Sequence, residues 1–296
     1  MHATHEIGIA KMSSASADLG QHFLQKLRQD IDQNRFVLPS LPDVAQKVRH
    51  AVEDANATTQ KVACVVGMDA AMSARLLKVA NSPLYRRTGT SIEDVGTAVT
   101  RLGFSLVRTL IINLSIVQVM QPVQGRMAKY LQHIFEHSRA IAVWSYALAA
   151  RYTRISPDEA MLAAMLHDIG YLPILQRAAK QKDLVADEVK LQMLLRRYHA
   201  EVGAMVLKAW NFSDHFIEVV TQHENVYRPV SADVRLVDLV IAAECYAGDE
   251  IASAPLPIDR SRGLALRKLG LDPQCPIDDD PQLLELLAQA QQILSI

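Results

Sequence analysis

Four histidines set the chemical pattern of this chain: His137, His167, His199 and His223 stand 30, 32 and 24 residues apart, and Asp168 directly follows His167. Each interval is about one helix–turn–helix step, so successive helices can each project one ligand into a shared bundle core. Neutral imidazole together with carboxylate suits zinc, iron or manganese, and a carboxylate beside a histidine can bridge two such ions. A site of that kind lowers the pKa of bound water and makes a hydroxide nucleophile near neutral pH. The same residues also fit a buried polar network, because a histidine on an apolar helix face needs only a hydrogen-bond partner. Spacing alone leaves both readings open.

The elements that must position these residues carry helical punctuation. In "ISPDEAMLAAMLHDIG", Ser156 reads as an N-cap, Pro157 as the first helical residue, Glu159 as the partner closing a capping box, and Gly170 as lying beyond the end. The body of that helix is apolar on nearly every face, which predicts packing on all sides and puts His167 and Asp168 in or near the interior. His137 shares a stripe with Ile134, Ile141 and Trp144, and His199 lines up with Val202, Val206 and Trp210. In "NFSDHFIEVVTQHEN", Ser213 reads as a cap, Phe212 as a staple onto Ile217, and His223 falls at the far end. In "TSIEDVGTAVTRLGFSLVRTLIINL", Ser91 reads as the cap of a helix with Asp94 at its third position and Gly103 at its end. A second helix runs from Ser105 to Met120, before Pro122.

The period-2 alternation of strands is hard to find, so the fold class is all-α, a two-lobed helical bundle. The chain divides into a leader over 1–35, a first helical lobe over 36–125, a second helical lobe over 126–248, and an extension over 249–296 that closes with "LLELLAQAQQIL". The seam falls in "QPVQGR", where Pro122 and Gly125 interrupt the pattern. With 296 residues, half of them hydrophobic, there is material for a sizeable core. The 31 basic and 32 acidic residues leave a formal net charge of −1, so no global positive field draws the chain to nucleic acid or acidic lipid. Cys64, Cys245 and Cys275 are an odd number without C-x-x-C spacing, which suits a reducing, cytoplasmic compartment. The longest apolar stretch, "TLIINLSIVQVM", falls short of the roughly 20 residues of a spanning helix, and the N-terminus lacks the apolar core of a secretory signal.

Other segments have plainer readings. "ANSPLYRR" places Asn81 and Ser82 ahead of Pro83, a structural corner between helices. Arg75, Lys78, Arg86 and Arg87 form a basic cluster, by default a solvated face, with an acidic protein partner as the sharper idea. The helix–Gly103–helix segment imitates a DNA-reading motif. Its second helix is mostly apolar with Arg108 as its only basic residue, whereas base reading needs polar side chains.

The HD dyad with its flanking histidines resembles the HD superfamily of metal-dependent phosphohydrolases, and more closely the HDOD family, the HD-related output domain of bacterial signalling proteins. The resemblance rests on "LPSLPDVAQKV", "GMDAAMSARLLKVANSPLY" and "SIEDVGTAVTRLGFSLVRTLII" in the first lobe, and on "HSRAIAVWSYALA", "AAMLHDIGYLPIL" and "RYHAEVGAMVLKAWNFSDHFIEVVTQHEN" in the second. Together these cover residues 36–245. The resemblance implies an all-α, two-lobed regulatory module, a family treated as non-catalytic because many members have lost metal ligands. It also implies that His137, His167, Asp168, His199 and His223 stand where superfamily ligands stand, with Glu244 in "IAAECYA" at the place of a late aspartate. Tyr171 occupies the position of a lysine in catalytic relatives, and Glu224 follows His223 where many have a second histidine. Loss of that lysine removes a cation that stabilises a phosphate oxyanion.

The resulting expectation is a cytoplasmic bacterial signalling module that acts by binding a regulatory or signalling protein, with no catalytic residue assigned. A receiver, a sensor or a nucleotide-signalling enzyme is the kind of partner expected, and no separate receiver or cyclase domain is expected in the chain. His137, His167, Asp168, His199, His223 and Glu244 are the candidate ligands of a divalent Fe, Mn or Zn ion. The alternative is a metal-dependent phosphohydrolase of a nucleotide or phosphodiester.

Overall fold

Glycine, proline and short polar caps cut the chain into helices, whose apolar faces then dictate how they meet. A computed structural model describes residues 25–27, 29–30, 33, 38–85, 91–120, 125–181, 184, 186–225, 228, 233–247, 263–272 and 280–294. Thirteen α-helices are delimited among the described residues, and no strand.

The first five are α1 (Asp43–Glu53), α2 (Thr59–Val66), α3 (Ala70–Ala80), α4 (Val95–Leu102) and α5 (Phe104–Met120). α1 lies on α2 and α5, α2 on α4, and α3 on α4 and α5. Thr58, Asp69 and Asp94 each accept a backbone N–H three residues on, satisfying donors that the first helical turn leaves unpaired. α4 therefore starts after Asp94 and not after Ser91. The reason is the corner at Asn81, whose side-chain oxygen accepts from Ile92 N at 2.7 Å and whose amide donates to Ile92 O at 2.8 Å, holding the chain before Asp94 out of the helix. Gly103 closes α4 at φ 79°, a left-handed conformation that a side chain rarely adopts, and α5 leaves at 111° to α4. The interior side of α5, with Leu106, Val107, Ile111, Ile112 and Ile116, is buried, and Arg108 faces Glu53 at 3.7 Å. Those buried side chains are committed to packing.

The remaining helices are α6 (Arg126–Tyr152), α7 (Pro157–Leu166), α8 (Tyr171–Ala178), α9 (Glu188–Ala209), α10 (Asp214–Gln222), α11 (Leu236–Ala247), α12 (Leu264–Lys268) and α13 (Pro281–Leu294). α7 touches α5, α6, α10 and α11, which accounts for its all-round apolar sequence: every residue from Ala160 to Leu166 is buried. α6, about 40 Å long at ~1.5 Å per residue, carries α7, α8, α11 and α13 along its length. Pro157 is the first residue of α7 as expected, but Ser156 makes no side-chain cap. Glu159 faces His215 at 3.3 Å, and Ser213 also bonds His215 at 3.0 Å in place of capping α10. Glu159 is drawn to a residue far away in the chain, and Ser213 bonds the same ring two residues along. Phe212 sets its ring against Phe216, at 5.1 Å.

Two bonds fasten α1 and the segment before it to the end of α9. Trp210 Nε1 donates to Pro39 O at 2.6 Å, and Arg49 donates to the Trp210 carbonyl while its guanidinium lies 5.5 Å from the Phe212 ring. Among the described residues no single helix is long and apolar enough to cross a membrane. Residues 121–124 of the expected seam, Arg86 and Arg87 of the basic cluster, Cys275, and much of 1–35 and 249–296 lie outside the described residues.

Candidate metal centre

α6 contributes His137; the turn after α7 contributes His167 and Asp168; α9 contributes His199; the end of α10 contributes His223 and Glu224; α11 contributes Glu244. All six residues singled out in the sequence meet in one cluster, and Glu224 joins them at its exposed edge. Their ligand atoms form three overlapping groups, His137–His167–Glu244, His167–Asp168–His223 and His199–His223–Glu224, each with its atoms within 4.8 Å of one another.

Close backbone approach makes this convergence possible. Gly170, two residues after Asp168, lies so near α9 that a Cβ there would run into the carbonyl oxygen of His199 and stand 2.8 Å from its carbonyl carbon. Gly203, one turn beyond His199, abuts the same turn, and a Cβ there would lie 2.6 Å from Val220 Cγ1. Glycine at both positions lets Asp168, His199 and the end of α10 share one small volume. α11 is anchored at its start by Asp238, a buried carboxylate that accepts from Arg235 N at 2.7 Å, from Lys268 Nζ at 2.9 Å and from Arg228.

Three histidines have their tautomer set by the helices that carry them. His167 Nδ1 lies 2.6 Å from Ala164 O, His199 Nδ1 3.0 Å from Leu195 O, and His223 Nδ1 3.0 Å from Val220 O. A carbonyl oxygen only accepts, so each Nδ1 carries the proton and each Nε2 points inward. Those Nε2 atoms converge on Asp168: His167 at 3.3 Å, His223 at 3.4 Å and His199 at 3.8 Å, with His199 and His223 Nε2 3.4 Å apart. His167 Nε2 is also 3.7 Å from Glu244 and has no hydrogen-bond partner among the described residues, nor does the buried Nδ1 of His137. Facing lone pairs and carboxylates repel unless protons or a cation lie between them. Backbone-anchored Nδ1–H with a free inward Nε2 is the arrangement that holds imidazole ligands for a metal, so the residues present fit a divalent ion.

The electrostatics agree. Burial opposes charge on His167 and on His223, but Asp168 outweighs it and holds both imidazoles above their ordinary value. Burial alone would raise Asp168, yet the two imidazoles beside it hold its carboxyl well below the usual range. His137, by contrast, is pushed down to about 4 by burial and by His167, and burial pushes Glu244 up to about 8. Tyr171 covers one wall, stacked on His199, and burial raises its phenol.

Against known proteins, the family model of the HDOD domain matches residues 38–226. A solved structure from Shewanella amazonensis SB2B, assigned by name only to the metal-dependent phosphohydrolases, superposes with a TM-score of 0.79 at 27% identity, covering 95% of this chain and 99% of that one. One from Marinobacter aquaeolei VT8, assigned by name only to signal transduction, gives a TM-score of 0.65 at 20% identity, over 94% of this chain and 65% of that one. A curated relative in Treponema pallidum (strain Nichols), an uncharacterized protein, is 20% identical over 225 residues, 69% of this chain. That match spans 42% of the relative's length.

Proposed function

The chain belongs to the HDOD domain family, and from that premise we propose that it is a regulatory module of a bacterial signalling system. In this reading its histidine cluster holds a divalent cation and its output is contact with another regulatory protein. The observation that carries the metal reading is the convergence of three backbone-anchored imidazoles on Asp168. His167, Asp168, His199 and His223 would hold the ion, with His137, Glu244 and Glu224 completing the shell. A divalent cation there supplies positive charge and Lewis acidity.

Burial favours contact over turnover. His167, His199 and His223 are at most 3% exposed and Asp168 is 8% exposed, so an ion can be enclosed while a phosphodiester has little surface to meet. Tyr171, stacked on His199, places an apolar ring where the resemblance implies a lysine in catalytic relatives. The Marinobacter protein's name supports the signalling reading, and the division into lobes over 36–125 and 126–248 is part of the same proposal. The cytoplasm is the compartment proposed.

The second reading, a metal-dependent phosphohydrolase, is favoured by the retained ligand set and by the name of the Shewanella protein. Thermal melting of the full chain with manganese, iron or zinc, beside assays on bis(p-nitrophenyl) phosphate and cyclic dinucleotides, separates the two. A metal-dependent rise in melting temperature without turnover is the expected result. Turnover that disappears in Asp168→Ala replaces this reading with the hydrolase, and absence of any effect of manganese, iron or zinc overturns the metal centre and the hydrolase, leaving the contact module alone.

A further inference from the structure

A cavity of about 270 Å³ opens where α3 and α5 meet α6, α7 and α13, and it shares no lining residue with the histidine cluster. Its walls are apolar, with Phe135, Met165 and Ile293 among them, and three polar side chains interrupt them: Arg75, Asn113 and Arg139.

Asn113 is the informative one. It is 7% exposed, and both its amide nitrogen and its oxygen are buried without a hydrogen-bond partner among the described residues. A buried amide missing both a donor and an acceptor partner is costly and uncommon. Arg139 Nε is likewise buried and without a partner among the described residues. The Arg139 guanidinium, with an orphaned nitrogen at the wall of an apolar space, calls for an anionic group, which the exposed Arg75 at the rim can also attract, and a guanidinium fork matches a carboxylate or phosphate head. The apolar remainder of the wall calls for a hydrocarbon body. An apolar pocket with a few convergent polar groups is the usual form of a small-molecule site.

We propose that this cavity binds a small anion with a hydrocarbon body, its head group held by Arg139, Arg75 and Asn113 and its body lying against Phe135, Met165 and Ile293. Because the cavity is bounded by helices from both ends of the chain, an occupant bridges α3 and α5 to α6 and α13. It also touches Met165, two residues before His167, which gives the occupant a physical path to the histidine cluster.

The test is calorimetric titration of the full chain with octanoate, beside octanol as the uncharged body and acetate as the head alone. Octanoate is expected to bind and the two controls not to bind at the same concentration. Arg139→Gln is expected to weaken octanoate binding about tenfold or more, the loss of one charge-assisted bond. Asn113→Leu, which exchanges an unpartnered amide for hydrocarbon of similar size, is expected to abolish binding while raising the melting temperature. That rise shows the variant is folded. No octanoate binding to the wild type, equal binding of octanol, or binding undiminished in both variants overturns the proposal.

Discussion

Tyr171 lies flat against His199, with 4.6 Å between ring centroids and 5° between ring planes. The stack fixes the plane of an imidazole whose Nδ1 is already held by α9, so His199 Nε2 is aimed from two sides. Tyr171→Phe keeps the stack and should leave metal affinity within about twofold of wild type, whereas Tyr171→Leu loses the ring pair and should cost ~1 kcal/mol in urea unfolding. A large loss in Tyr171→Phe would mean that the hydroxyl, not the ring, does the positioning.

Gly170→Ala should be the most damaging conservative substitution near the cluster. The added carbon meets the His199 backbone, which cannot rotate away, so the turn carrying Asp168 and the helix carrying His199 must separate. A loss of ~3 kcal/mol together with loss of metal binding is expected. A Cβ at Gly203 would lie 2.6 Å from Val220 Cγ1 and 3.2 Å from the Gly170 backbone nitrogen, looser contacts than the direct backbone collision at Gly170, so Gly203→Ala should cost less, ~1–2 kcal/mol. Equal stability of the two variants in urea would contradict this ordering.

Metal binding should release protons. Without the ion, Glu244 titrates at about 8, and His167 and His223 are held above the ordinary imidazole value, so at pH 7 the cluster carries protons that ligation displaces. Affinity should therefore rise with pH, by about tenfold per unit for each proton released. Titration calorimetry in two buffers of different ionisation enthalpy counts those protons, and a count of zero at pH 7 would rule the coupling out.

Glu244 gives the metal-free protein a pH dependence of definite sign. Its pKa is about 8 in the folded state, against an ordinary value of 4.5 in the unfolded chain. The unfolded chain therefore releases its proton first, so the Glu244 contribution to stability is intact below 4.5 and declines as pH rises through about 8. Glu244→Gln removes that decline. In chelator it should be more stable than wild type at pH 8 by roughly 4 kcal/mol, and nearly equal to it at pH 4.5. Melting curves at the two pH values check this.

Much of this was readable from residue order, and the exceptions have a common cause. The all-α class, the buried α7, the stop at Gly103 and the spacing of His137, His167, Asp168, His199 and His223 follow from periodicity and caps, because each is encoded within one or two turns of chain, whereas Glu244 came from the family resemblance. Ser156 and Ser213 read as caps, but tertiary packing sets Glu159 against His215, and Ser213 bonds that ring instead of a backbone N–H. Asp94 displaced Ser91 because Asn81 grips Ile92 from eleven residues away. The resemblance marked Tyr171 as standing in place of a lysine, while its stack on His199 depends on how α8 meets α9. Gly203 stood in plain view one turn after His199, yet only the approach of Gly170 gives it meaning. Asn113 was visible as a polar interruption of an apolar helix, and its orphaned amide became apparent only once α6, α7 and α13 closed around it.

The most direct measurement is the metal content of the full chain purified without chelator and then challenged with iron, manganese or zinc, wild type beside His167→Ala. His167 belongs to two of the three ligand groups, so its loss strikes the centre of the cluster. Near-stoichiometric metal in the wild type and its loss in a folded His167→Ala is the predicted result. Folded wild-type protein that takes up none of the three ions would make the histidines a polar core network and contradict the metal centre.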